Sequence, residues 1–501
     1  MTSNPPIRWI FLLAAIVAGG CVPCRADDAT AGKKSADERS APSRGLPAEV
    51  VTNHTITLGG EKVAFTARAG AVHLRDAQSD APQADVAYVS YERAGAESLS
   101  RPVAFVFNGG PGAGSAWLGL GALSPWRLQM ANPLSPSAPP TIVENAESWL
   151  NFTDLVFVDP PGTGYSKILG DGEDLRKRLF SVEGDADALA VVLRKWLTTH
   201  RRLASPKYLV GESYGSFRAV KLVHALRERE SVGVTGLILI SPVLDFTWLD
   251  VRNLLSYSAY LPSFAAVARG AKDRAALADV EEYAGGAYLT DLLKGVRDAD
   301  ALSRLSARVA QFTSLNSKTV SQLGGRVHVK TFSRERARDD QRILSAYDGE
   351  VAGFDPAPFS QESDWADPVL DTLRTPLGAA MSRIVTEKLE WPINDARYEI
   401  LNAQVAHQWD YGRGGRVNAE AVSDLREALA LDPRLKVLIV HGITDLVTPY
   451  FATKLLLDQL PAFGDGSRVQ FVVLPGGHMS YVRDESRRAL RDAARISVER
   501  N

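Results

Sequence analysis

The chain has 501 residues, 45% of them apolar and 23% charged, with a formal net charge of −2. These are globular proportions, and the length admits either one large domain carrying an insertion or two domains. The near-neutral balance suggests neither the basic stripe of a nucleic-acid binder nor a polyanionic tail.

The N-terminus carries Arg8, an apolar run over 9–18, and small residues up to Ala26. A basic start, a short apolar stretch and a small-residue cleavage site are the parts of a secretory signal, and the run is too short to span a bilayer. Residues 1–26 are therefore expected to be a signal peptide that exports the chain to the periplasm or the medium. A second option lies at Ala18-Gly19-Gly20-Cys21, which resembles a lipobox: acylation of Cys21 would tether the mature chain to a membrane. Cys21 and Cys24 are the only cysteines. Cleavage after Ala26 thus leaves a domain that folds without disulfides and has no thiolate nucleophile or thiolate metal site.

Residues 27–48 are mostly Ala, Ser, Lys, Asp, Glu and Pro, the composition of a disordered linker. The main folded domain is expected over 49–501. Extended runs at 54–58 and 62–68 around Gly59-Gly60 read as a hairpin, and 86–92 as a further edge strand. Continuous apolar runs at 102–107 and 153–158 read as buried strands. The first feeds the loop Asn108-Gly109-Gly110-Pro111-Gly112-Ala113-Gly114-Ser115, and the second feeds Asp159-Pro160-Pro161-Gly162-Thr163-Gly164-Tyr165-Ser166. After an amphipathic helix at 185–200, residues 208–219 read as strand, sharp turn and helix, and 237–240 as the next strand. From about 246 to about 402 the alternation is lost. Ala, Leu, Arg and Asp there recur at helical spacing, so a mainly helical cap insertion is expected. The sheet pattern resumes with strands at 436–440 and 469–474 and a last charged helix from 484. Buried strands alternating with helices imply a mostly parallel sheet covered on both faces.

The turn in 208–219 is Gly211-Glu212-Ser213-Tyr214-Gly215, a Gly-x-Ser-x-Gly unit between strand and helix, which is the setting of a nucleophile elbow. A serine hydroxyl needs a base within reach and a carboxylate to orient that base. In the α/β-hydrolase fold these come in the chain order Ser, acid, His, each beyond the carboxyl end of a strand. Ser213, Asp445 and His478 satisfy order and placement together. His441 competes for the role of base but precedes Asp445, and reads as a packed histidine. Asp458 and Asp465 read as solvated surface. The loop 108–115 lacks both Gly-Lys-Ser/Thr and the Gly-x-Gly-x-x-Gly spacing of phosphate sites. Its backbone N–H groups are instead available to a developing oxyanion, worth about 3 kcal/mol of transition-state stabilisation; a plain structural turn is the alternative. No metal or cofactor is called for.

Four motifs taken together, Asn108-Gly109-Gly110-Pro111-Gly112, Trp149-Leu150-Asn151 ahead of Asp159 to Ser166, Gly211-Glu212-Ser213-Tyr214-Gly215, and Gly477-His478-Met479, resemble the serine carboxypeptidases, peptidase family S10. The resemblance runs from about residue 50 to the C-terminus, and the Gly-Thr-Gly-Tyr-Ser ending of the second motif is that of the bacterial branch. It implies removal of a peptide's C-terminal residue through an acyl-enzyme on Ser213. The oxyanion hole would be the N–H groups of Gly110 and Tyr214. The substrate's terminal carboxylate would be held by the Asn108 side chain, the Gly109 N–H and Glu212, with Trp149 supporting the site. A carboxylate facing a carboxylate repels it, so Glu212 must be protonated to bind, and an acidic optimum follows. In the family a second glutamate shares a proton with this one. The corresponding segment here, Leu118-Gly119-Leu120-Gly121-Ala122-Leu123-Ser124-Pro125, holds no acid, and the loop's usual cysteine is Ala113. That departure leaves two other readings open: an esterase or acyltransferase on the same triad, and a non-catalytic, lipid-anchored binding protein with a relic triad.

Overall fold

The computed structural model describes residues 45–499 apart from 96–99, 131–132, 171, 361–364, 394–395 and 465. The expected signal peptide, Cys21, most of the linker and Asp465 lie outside the described residues. Residues 45–48, expected to be linker, are docked on the domain through Leu46. Leu46 is buried, its N–H donates to Asp85 Oδ2 at 2.7 Å, and the Ala48 carbonyl accepts from Trp391 Nε1 at 3.1 Å. One leucine and two backbone groups dock this stretch, too little to alter a composition dominated by small and polar residues.

Among the described residues one ten-stranded sheet organises the chain. Its main strands are β1 (Val50–Leu58), β2 (Glu61–Arg75), β3 (Pro82–Arg93), β4 (Val103–Phe107), β5 (Asp154–Val158), β6 (Lys207–Glu212), β7 (Gly236–Ile240), β8 (Lys436–Gly442) and β9 (Val469–Leu474). They lie in the order β1-β2-β3-β5-β4-β6-β7-β8-β9, with the short strand Lys167–Ile168 against β3. Pairing is antiparallel from β1 to β5 and parallel from β5 to β9. In the central strands successive side chains enter opposite cores. Phe105, Leu209 and Leu237 pack with the helices Val182–Thr199, Tyr214–Glu230 and Val422–Leu431, whereas Ala104, Val210 and Ile238 pack with Leu370–Arg383 and Asp484–Glu499. Burial on both faces is why these strands are continuous apolar runs.

Between β7 and β8 the chain leaves the sheet. The helices from Leu254–Arg269 to Val329–Glu335 gather a separate core around Phe264, Leu305, Phe312 and Phe332. Helix Ala299–Thr313 shows the cause: Ala301, Leu305, Val309 and Phe312 recur every three or four residues on its buried face. The Asp298 side chain caps its start, accepting from the Ala301 N–H at 2.9 Å. The insertion is not wholly helical, since Arg342–Leu344 and Ala352–Phe354 form an antiparallel hairpin. Three-residue strands are too short to leave a period-two pattern.

The glycine-rich loops after β4 and β5 are locked together by Asp159. Its carboxylate is buried and accepts from Ser115 N (2.7 Å), Ser115 Oγ (2.8 Å), Tyr398 Oη (2.9 Å) and Tyr165 N (3.3 Å). Asp159→Ala leaves these buried donors without an acceptor and is expected to cost roughly 3–5 kcal/mol of stability, as read from the urea midpoint.

Candidate active site

Strand β6 runs into Ser213, whose φ of 59° and ψ of −124° lie outside the ordinary regions for a residue with a Cβ. The helix Tyr214–Glu230 starts at the next residue. Such a turn closes only around glycines: a Cβ at Gly211 would collide with the Gly215 carbonyl, and one at Gly215 would lie 2.5 Å from the Phe107 carbonyl. The Ser213 N–H donates to the Ile240 carbonyl at 2.9 Å, fixing the turn to β7.

Register brings the other strand ends level with it. Ile240 pairs with both Glu212 and Val440, and Gly442 with Leu474, so the loops after β8 and β9 emerge on the same edge. Asp445 is fully buried. Its Oδ1 accepts from the N–H groups of Val447 (2.8 Å) and Thr448 (3.0 Å). Its Oδ2 accepts from Thr448 Oγ1 (2.8 Å) and lies 2.8 Å from His478 Nδ1. The carboxylate assigns the ring proton to Nδ1 and leaves Nε2 free to act as a base. Burial opposes a charge on His478, but the charge and hydrogen bond of Asp445, with Glu212 behind them, outweigh it and hold the imidazole above its ordinary value. Among the described residues no hydrogen bond joins Ser213 Oγ to His478; this contact is one that often tightens only with substrate.

His441 sits elsewhere. It is fully buried, its Nε2 is 2.9 Å from Thr453 Oγ1, and burial pushes its pKa down to about 4, so it stays neutral. Asp458 is a surface residue paired with Lys454 at 2.6 Å.

Glu212, one residue before the elbow serine, is buried with its carboxyl between two donors. Asn108 Nδ2 donates to Oε2 and the Tyr481 hydroxyl donates to Oε1 at 2.8 Å. Asn108 Oδ1 accepts from the Leu118 N–H at 3.0 Å, which sets the orientation of the amide. Burial pushes the Glu212 pKa up to about 7; His478 and the two donors pull against it and Asp445 adds to it. The Asn-Gly-Gly loop lies directly against the elbow, so close that a Cβ at Gly109 would stand 2.7 Å from Tyr214 N. Gly110 is exposed. The Tyr214 N–H opens its helix and so has no intrahelical acceptor. Trp149 is buried, with its ring tilted against Phe152 at 5.7 Å between centroids.

Several residues around the site carry no motif. Tyr481 and Thr448 are described above. Tyr347, in the cap hairpin loop, accepts from the His478 N–H at 2.6 Å and sets its ring edge-on to the imidazole at 5.3 Å. Arg483 ties that loop down through Asp348 (2.6 Å) and Glu350 (2.7 Å). Arg218 donates to the Asn108 carbonyl at 2.7 Å while paired with buried Asp185. Only Thr448 left a local signal, a hydroxyl three residues after an aspartate that it can cap.

Sheet, elbow and the Asp445–His478 pair are arranged as in the α/β-hydrolase fold. Residues 60–269 match the family model described as serine carboxypeptidase. The chain is 32% identical over 156 residues to serine carboxypeptidase-like 51 of Arabidopsis thaliana, covering 31% of each chain. It is 29% identical over 157 residues to the pheromone-processing carboxypeptidase KEX1 of Tuber melanosporum, covering 31% of this chain and 23% of that one. The matches thus span less than a third of these relatives' length. In fold the chain is similar to the crystal structure of a prohormone-processing carboxypeptidase from Saccharomyces cerevisiae, with a TM-score of 0.56 at 14% identity, covering 86% of this chain and 91% of the other. Among the described residues there is no group of three or more His, Cys, Asp or Glu side chains placed to hold a metal ion, and no helix is long and apolar enough to cross a membrane.

Proposed function

We propose that the chain is a serine carboxypeptidase that releases the C-terminal residue of peptides. The observation that carries this reading is a buried carboxyl, Glu212, beside the elbow serine, with a pKa raised to about 7 and an asparagine amide on one of its oxygens. Protonated, it donates to a substrate carboxylate instead of repelling it. Asn108 and the Gly109 N–H complete that contact, and Trp149 supports the loops that form it.

Ser213 Oγ attacks the carbonyl of the last peptide bond while His478 Nε2 takes its proton, and Asp445 stabilises the imidazolium. The N–H groups of Gly110 and Tyr214 receive the oxyanion. His478 then protonates the departing amine, and water, activated by the same imidazole, hydrolyses the acyl-enzyme. Because Glu212 must hold its proton, turnover of free-acid peptides is expected to fall as pH rises through about 7.

The test compares a blocked dipeptide bearing a free C-terminus with its C-terminal amide and with a simple ester. The free acid is expected to be turned over well ahead of the amide at mildly acidic pH; turnover of the ester alone would make the chain an esterase on the same triad. Export is part of the proposal, supported by the basic, apolar and small-residue segments of 1–26. The mass of the mature N-terminus distinguishes cleavage after Ala26 from acylation at Cys21. Placement in the bacterial branch rests on the Gly162-Thr163-Gly164-Tyr165-Ser166 ending alone, since the relatives named above are plant and fungal.

A further inference from the structure

We infer that Tyr481 is a positioning residue for the substrate-carboxylate site: its hydroxyl holds the Glu212 carboxyl in place, and the wide turn over Gly119–Leu123 makes room for its ring. The inference rests on the role proposed for Glu212.

Three observations carry it. Tyr481 is almost fully buried and places its hydroxyl 2.8 Å from Glu212 Oε1, the oxygen that Asn108 leaves open. The ring fits only because residue 121 is glycine, since a Cβ there would lie 2.5 Å from Tyr481 Cε2. Gly121 is in turn presented by a π-type turn, closed by the Ser124 N–H on the Gly119 carbonyl at 3.1 Å. Turns of this kind recur at functional sites, where they move one residue out of helical register. The segment without an acid is therefore the segment that admits the tyrosine.

The groups that face Glu212 are Asn108 from the end of β4, Asp445 and His478 from the loops after β8 and β9, Tyr347 from the cap hairpin loop, and Tyr481. Burial, then Glu212 itself, holds the Tyr481 phenol well above its ordinary ionisation range, so it remains a neutral donor. Asp445 is the other carboxyl in this set and acts on Glu212 through its charge, while the hydrogen bonds to the Glu212 carboxyl come from Asn108 and Tyr481. A hydroxyl donating to a carboxylate favours its ionised form. Removing the hydroxyl must therefore raise the pH at which Glu212 loses its proton, and binding of a free C-terminus must persist to higher pH.

The experiment measures kcat/KM against pH for a blocked dipeptide with a free C-terminus and for its methyl ester, in wild type, Tyr481→Phe and Gly121→Ala. It adds the Glu212 carboxyl band by difference infrared, assigned against Glu212→Gln. Fluorophosphonate labelling of Ser213 reports that each variant is folded. The midpoint of the alkaline fall for the free acid is expected to move up by about one pH unit in Tyr481→Phe. It moves in the same direction in Gly121→Ala, which pushes the ring off the carboxyl, and the Glu212 band moves with it. A KM increase confined to higher pH in wild type and relieved in the variants supports the same conclusion. Midpoint and band unmoved in both folded variants would overturn the role of Tyr481. A wild type that does not distinguish free acid from ester would instead overturn the carboxypeptidase reading, and the infrared midpoint would still decide whether Tyr481 governs Glu212.

Discussion

Ser213→Ala is expected to lower kcat by roughly a million-fold, to the level that binding and the oxyanion donors sustain alone. The substitution removes one oxygen from a turn whose closure depends on Gly211, Gly215 and the Ser213 N–H bond to Ile240. The backbone at φ 59° is as strained for alanine as for serine, so the fold is kept and the loss reports chemistry. Wild-type protein is expected to gain the mass of one fluorophosphonate adduct at Ser213 and the variant none. A variant that still labels, or turns over at a comparable rate, would place the nucleophile elsewhere.

Asp445→Asn is expected to cost about 10⁴-fold in kcat with little change in KM. The asparagine carbonyl can still accept from the N–H groups of Val447 and Thr448, which hold this side chain in place. What is lost is the acceptor at His478 Nδ1: an amide N–H facing that nitrogen selects the tautomer whose Nε2 carries the proton and cannot accept one from Ser213. The positive His478 shift, which depends on Asp445, is lost as well. Pre-steady-state acylation with an activated ester checks this directly, since the defect lies in forming the acyl-enzyme. A loss of less than about tenfold would remove Asp445 from the role of orienting acid.

What the sequence discloses and what it hides follow from physical causes. Strands β4, β6, β7 and β8 are legible because burial on both faces demands unbroken apolar runs, and the loops beyond them are legible because tight turns demand glycine. Asp445 and His478 could be picked out because strand-end placement and chain order leave few alternatives. His441 shares the strand-end placement but lies inside the strand itself, where burial keeps it neutral. The cap hairpin left no trace, since its pairing covers three residues a strand, and neither did the anchoring of residues 45–48 by Leu46. The carboxyl site was only half legible. Glu212 and Asn108 fall in motifs, whereas Tyr481 meets Glu212 across 269 positions and Tyr347 arrives from the cap; contacts between side chains so far apart leave no local spacing to detect.

In the proposed mechanism Glu212 selects a free C-terminus by holding a proton next to Ser213. The direct measurement is kcat/KM against pH for a free-acid peptide in wild type and in Glu212→Gln. The wild-type value is expected to fall as pH rises through about 7. The glutamine variant, whose amide donates at every pH, is expected to lose that fall. A glutamine variant that keeps the same alkaline limb would contradict the account.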